Sequence, residues 1–246
     1  MYPLTHLYFA EMVLGTLDDK TILGSIFPDI TVSAGIDWNR SHTLGLELWR
    51  HFRSNNKCLL NFSLGVISHG IDPKGLDYYS DEKYGDFEKG YCFEKARPLV
   101  DSVVEACNLS SDDGWWKAHN FIEMGTELFI YEERPELLPL FRRALDNVPL
   151  IAVLCKELAL VLVKDETALK RSFTSFRNFF DREHLDAQLL AARFQKQIYF
   201  RYNIESIDLV KCQSIIHKGK ELIASDIKHF FQEVKEQLSP VLSKLR

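Results

Sequence analysis

The sequence predicts an all-α protein, and three observations carry that expectation. Glycine and proline number only 12 and 8 in 246 residues, so few turns are on offer. Leucine, lysine and glutamate are frequent, and these residues lose little freedom in a helix. No segment sustains the apolar–polar alternation of a half-buried strand. Apolar content of 46% and charged content of 26% are those of an ordinary folded chain. The length suits one large domain or two small ones.

The elements follow in chain order. Pro3 suits a first helical turn and opens a helix over about 4–17. Asp18-Asp19 breaks it or caps a short helix that Pro28 should end at Phe27. Residues 31–39 read as a loop. Helices are expected over 43–55 and 59–69, and 73–85 should be irregular because Pro73, Gly75 and Gly85 punctuate it. A helix over 91–107 ends before the loop 110–114, whose serines and aspartates are cap signals. The next helix, 115–132, runs to Pro135. Three more are expected over 150–164, 166–181 and 184–202. The last, 206–245, should break near Lys218-Gly219, and Ile223, Ile227, Phe230, Phe231, Val234, Leu238, Val241, Leu242 and Leu245 form an apolar stripe along it. Residues 1–145 hold the chemistry candidates. Residues 146–246 read as a C-terminal helical region packed on them.

The formal net charge is −5 and no Lys/Arg block is interleaved with aromatics, which argues against duplex nucleic acid as a partner. The five cysteines are scattered and never paired as C-x-x-C. They read as reduced core thiols in a reducing compartment, hence a cytoplasmic protein. The opening Met1-Tyr2-Pro3-Leu4-Thr5-His6 lacks the basic start of a secretory signal. The most apolar stretch, 148–163, contains Lys156 and Glu157 and falls short of the ~20 residues a bilayer requires. It is expected to be a buried helix.

The candidates for chemistry are histidines with acidic neighbours. His119 and Glu123 stand four apart on one helix, so imidazole and carboxylate lie side by side and can share a divalent metal. Glu127 continues that face. His69 and Asp72 close an apolar segment, and Asp77 and Asp81 follow on the irregular one. Asp29 sits behind the stiff Phe27-Pro28. His6 lies on the first helix and His42 at a helix start. Each alone also reads structurally, as a core-edge histidine, a turn aspartate or a solvated face. His51, His184, His217 and His229 read as surface or structural residues.

Taken in order, these motifs resemble the zinc-dependent phospholipase C family over residues 1 to about 131. That family is all-helical and related in fold to the zinc-dependent single-strand nucleases. The resemblance implies a multi-helix bundle of that kind with additional C-terminal helices. It implies a site of His6, Asp29, His42, His69, Asp72, His119 and Glu123 holding one or two zinc ions, with Asp29 as the general base. Asp72 stands three residues after His69 where the family has four, and Asp77 stands in place of a downstream histidine. The implied reaction is metal-assisted hydrolysis of a small-molecule phosphoester or a phospholipid head group. Tyr78, Tyr79 and Phe121 would line its pocket. The other reading is a non-catalytic helical scaffold that keeps the fold and a metal.

Overall fold

The computed structural model describes residues 1–31, 34–180 and 183–246. Among them are fourteen α-helices and no strand, as the composition predicted. The expected loop at residues 32 and 33 and the expected helix end at Asp181 lie outside the described residues. The helices form two compact units, each drawn from segments on both sides of residue 145.

One unit comprises Met1–Thr5, Tyr79–Pro135 and His184–Phe231. Its centre is α8 (Ser111–Glu133), buried almost without a break from Phe121 to Leu128. Ser110 caps it by accepting the Asp113 N–H at 3.1 Å, and Asp112 and Asp113 lie against its positive end. Around α8 stand α6 (Tyr91–Ala96), α7 (Val100–Cys107), α12 (Ala187–Tyr202) and α13 (Leu209–Ile223). The single helix expected over 91–107 is interrupted by a 3-10 turn, Arg97–Leu99, because Pro98 cannot continue the hydrogen-bond ladder. Gly219 does not break α13. A Cβ there would lie 2.6 Å from the Phe121 carbonyl oxygen, and one at Gly125 would lie 2.4 Å from the Lys220 nitrogen. The glycines let α8 and α13 touch backbone to backbone. The chain breaks later, before α14 (Ile227–Leu245), where Ile227, Phe230, Phe231, Val234, Leu238 and Leu242 of the stripe are buried as expected and Val241 and Leu245 are half-buried.

The other unit comprises His6–Tyr78, Glu136–Glu183 and Gln232–Arg246. It holds most of α1 (Pro3–Leu14), then α2 (Asp19–Thr31), α3 (Trp38–His42), α4 (Gly45–Asn55) and α5 (Leu60–His69). It also holds α9 (Leu137–Asp146), α10 (Val148–Leu162) and α11 (Glu166–Phe180). Asp18 caps α2 through the Thr21 N–H and hydroxyl at 2.8 and 2.9 Å. Pro28 does not end α2, which continues to Thr31. The proline falls in the last turn, where Phe27 and Ile30 beside it are buried and hold the turn in place. α2 lies along α5, with Phe27 against Phe62 at 5.1 Å between ring centroids and Phe62 edge-on to Phe52 at 6.1 Å. The irregular segment after α5 carries one π-helical turn, Tyr78–Glu82. The expected burial of 148–163 is only half met. Ile151, Leu154, Cys155 and Leu158 face inward, whereas Val148, Val153, Leu160 and Val163 are exposed.

Candidate metal centre

Five side chains converge in the second unit. His6 comes from α1, Asp29 from the last turn of α2, His42 from the end of α3, His69 from the end of α5 and Asp77 from the segment after it. The His6 and His69 rings stack at 3.6 Å between centroids with planes 7° apart, and His42 meets His69 at 5.0 Å and 60°. The His69 Nε2 lies 3.2 Å from the His42 Nε2 and 3.0 Å from the Asp77 Oδ2. The Nε2 atoms of His42 and His6 each lie 3.4 Å from an Asp77 oxygen. Donor atoms of His6, His69 and Asp77 fall within 4.8 Å of one another, as do those of Asp29, His42 and His69.

The outer ring nitrogens explain which way the inner ones point. His69 Nδ1 donates to the Ser25 carbonyl at 2.7 Å, and His42 Nδ1 to the Trp38 carbonyl at 2.8 Å, with the Ser41 hydroxyl also at 2.8 Å. A proton on Nδ1 leaves the Nε2 lone pair facing the cluster, the arrangement by which histidine ligands are oriented on metals. Two such lone pairs at 3.2 Å repel unless a cation or a proton stands between them. His6 is buried, and neither of its ring nitrogens makes a hydrogen bond. An unsatisfied buried imidazole is costly, and a metal ion satisfies it.

Burial and the carboxylate of Asp77 set the charges of the cluster. Burial, then the like charge of His69, holds His6 well below the ordinary imidazole value, although Asp77 opposes the shift. Burial acts against a charged His69 too, yet the carboxylate of Asp77, its hydrogen bond and Asp29 lift it above that value. Burial would raise Asp77, but the imidazoles around it, His69 foremost, and its hydrogen bond with His42 hold it well below the carboxylate range. Asp29, half-buried at the edge, is raised first by burial and also by Asp77, against the pull of His69 and His42.

Asp72 does not join the cluster. α5 ends at His69 and Gly70 turns the chain to an extended conformation, so helical spacing no longer applies after it. Asp72 stands exposed before the cis bond to Pro73. The chain then folds back, with Ile71 N–H on the His42 carbonyl at 2.8 Å and Gly75 N–H on the Gly70 carbonyl at 2.9 Å. A Cβ at residue 75 would meet the carbonyl oxygens of Ile67, Ser68 and Gly70 at 2.6–2.8 Å, so only glycine permits the return that delivers Asp77. Asp77, expected in place of a downstream histidine, joins His6 and His69, and Asp72 stays outside.

His119 and Glu123 belong to the first unit, on α8. Asn120 Nδ2 bridges them, 3.2 Å from His119 Nε2 and 2.9 Å from Glu123 Oε2, and the Met1 amine lies 3.0 Å from Glu123 Oε1. The Phe93 ring stacks on His119 at 4.2 Å. Burial pushes His119 down to about 4, with Glu123 opposing, so the imidazole is neutral at pH 7 and able to ligate. Glu127, the third member of that face, turns to α1 instead. It accepts the Leu4 N–H, the Thr5 N–H and the Thr5 hydroxyl, each at 2.9 Å. Phe121 is fully buried against Phe194 at 5.0 Å between ring centroids. His51 pairs with Glu157 at 2.8 Å, a structural role.

No protein-family model, curated protein or solved structure matches the chain.

Proposed function

We propose that the chain is a zinc-dependent phosphoester hydrolase of the phospholipase C kind, acting on a small phosphoester or a phospholipid head group. The observation that carries this reading is the cluster of three imidazoles and two carboxylates. Two of its histidines have Nδ1 committed to carbonyls, and the third has both nitrogens unsatisfied. Mixed nitrogen and carboxylate donors suit zinc. His6, His42, His69 and Asp77 would hold one ion, and His119 with Glu123 supply donors toward a second. Zinc held there would supply positive charge for phosphate oxygens and would acidify a water. Asp29, at the half-buried edge with a raised pKa, would be the general base beside that ion. Burial of His6, His69 and Asp77 excludes bulk water from the ligand side. All five cysteines are free, which supports a reducing, cytoplasmic setting.

Metal analysis of protein purified without chelator tests the reading, with at least about one zinc per chain expected from such a donor set. Less than ~0.1 equivalent, with no thermal stabilisation on adding zinc, ends it. Turnover of phosphodiesters, phosphomonoesters and phospholipids, lost in Asp29→Asn with zinc still bound, supports the chemistry. A second reading, a metal-holding scaffold without activity, is favoured by one observation. Among the described residues, His119 and Glu123 join no group of three donors. Stoichiometric zinc with no turnover on any of those substrates supports it.

A further inference from the structure

We propose that the outer face of α10, together with the cations of the neighbouring α4, docks on an anionic lipid surface. This goes beyond the hydrolase reading and does not depend on it. Four large apolar side chains are exposed on one short element: Val148 at 69%, Val153 at 46%, Leu160 at 67% and Val163 at 88%. By helical spacing Val153, Leu160 and Val163 share one side of the helix, with Val148 at its edge and at the other end, which is unlike the singly scattered apolar residues normal on a protein surface. Val163 caps the helix in the left-handed region, φ 51° and ψ 49°, a conformation that β-branched residues avoid. The capping position therefore carries a costly residue whose side chain is spent on solvent, which points to a use outside the fold.

The charge beside this face selects the partner. The chain as a whole carries −5. Yet α4 and the turn after it present Arg50, Arg53 and Lys57, all exposed, and α10 presents Lys156 with Lys164 just beyond it. Among the described residues, Arg50 and Lys57 are in no ion pair, Arg53 lies over the Trp49 ring at 4.8 Å, Lys156 lends its charge to Glu157, and Lys164 donates to the Gly35 carbonyl at 3.4 Å. The nearby acids are engaged. Glu157 turns to His51 at 2.8 Å and holds α10 to α4, Glu47 pairs with Arg40 at 2.6 Å, and Asp165 accepts the Ala168 N–H at 2.8 Å. An apolar face with exposed cations beside it on an acidic protein matches an anionic bilayer surface, which takes apolar side chains between its head groups and attracts Lys and Arg. The helix lies on such a surface and does not span it, since no helix among the described residues is long and apolar enough to cross a membrane.

Flotation of the full chain with vesicles tests the proposal. Phosphatidylcholine vesicles containing ~30% phosphatidylserine should carry the protein at low salt, and pure phosphatidylcholine on the order of tenfold less. Leu160→Asp with Val163→Asp should abolish flotation, and Arg50→Glu with Lys57→Glu should weaken it at least ~tenfold, each with an unchanged thermal melt. No flotation of the unaltered chain on anionic vesicles overturns the proposal, as does equal flotation of the Leu160/Val163 variant. Light scattering showing a dimer that this variant dissociates also overturns it, because a second copy then covers the face.

Discussion

At the scale of single residues, Asp72 and Asp77 separate what spacing implies from what folding delivers. Asp77→Asn should weaken zinc binding by at least ~100-fold in a competition titration, while Asp72→Asn should leave it unchanged. Equal effects of the two would remove Asp77 from the site. Glu127 offers a second test at this scale. Burial pushes its carboxyl from 4.5 up to about 7, although three hydrogen bonds from Leu4 and Thr5 oppose the shift. The folded chain then keeps a proton that the unfolded chain releases above pH 4.5. Its stabilisation is complete below that pH and is lost as pH rises toward 7, up to about 3 kcal/mol in all. Urea denaturation of Glu127→Gln at pH 5 and pH 7.5 should show a smaller fall between the two than the unaltered chain shows. An identical fall would refute the assignment. His69 and His119 were readable from their acidic neighbours in sequence. Asp77 was visible as one of two acids on an irregular segment and, through the resemblance, as the stand-in for a downstream histidine, but not as the centre of the cluster, because its partners are brought to it from three other helices.

At the scale of elements, the places where the chain departs from expectation are close approaches. Gly219 reads as a breaker in sequence and proves to be a contact point between α8 and α13. Gly219→Ala should therefore cost about 1–3 kcal/mol in chemical denaturation, the range for overpacking, although alanine is the better helix former. A neutral or stabilising result would mean the two helices can part without loss. Gly75→Ala should act on the return segment and lower zinc affinity together with stability, because three backbone oxygens surround the added carbon. Retained affinity would show that another path of the chain also brings Asp77 home. Pro28 teaches the same lesson in reverse. A proline signals a helix end, but buried neighbours on both sides keep the turn helical.

At the scale of the molecule, the candidate ligands divide between two compact units, so metal content and folding are thermodynamically linked. Zinc bound at ~100-fold above its dissociation constant adds about 2.7 kcal/mol, which for a chain of this length corresponds to roughly 5–10 °C in Tm. Dialysis against chelator should lower Tm by that amount and zinc should restore it. A melt indifferent to both would leave the cluster as a set of hydrogen-bonded core histidines. The helical class was determined by the sequence alone, since it depends on composition and on a 3.6-residue period that each segment carries by itself. So were the apolar stripe of α14 and the helices bearing His6, His69 and His119. Only the tertiary structure decided that Asp77 and not Asp72 completes the cluster, that Gly219 joins helices, and that α10 buries one face and exposes the other. Those outcomes depend on which distant segments pack together, and local spacing holds no information about residues that meet across 27 to 71 positions of chain, as His42 and His69 or His6 and Asp77 do.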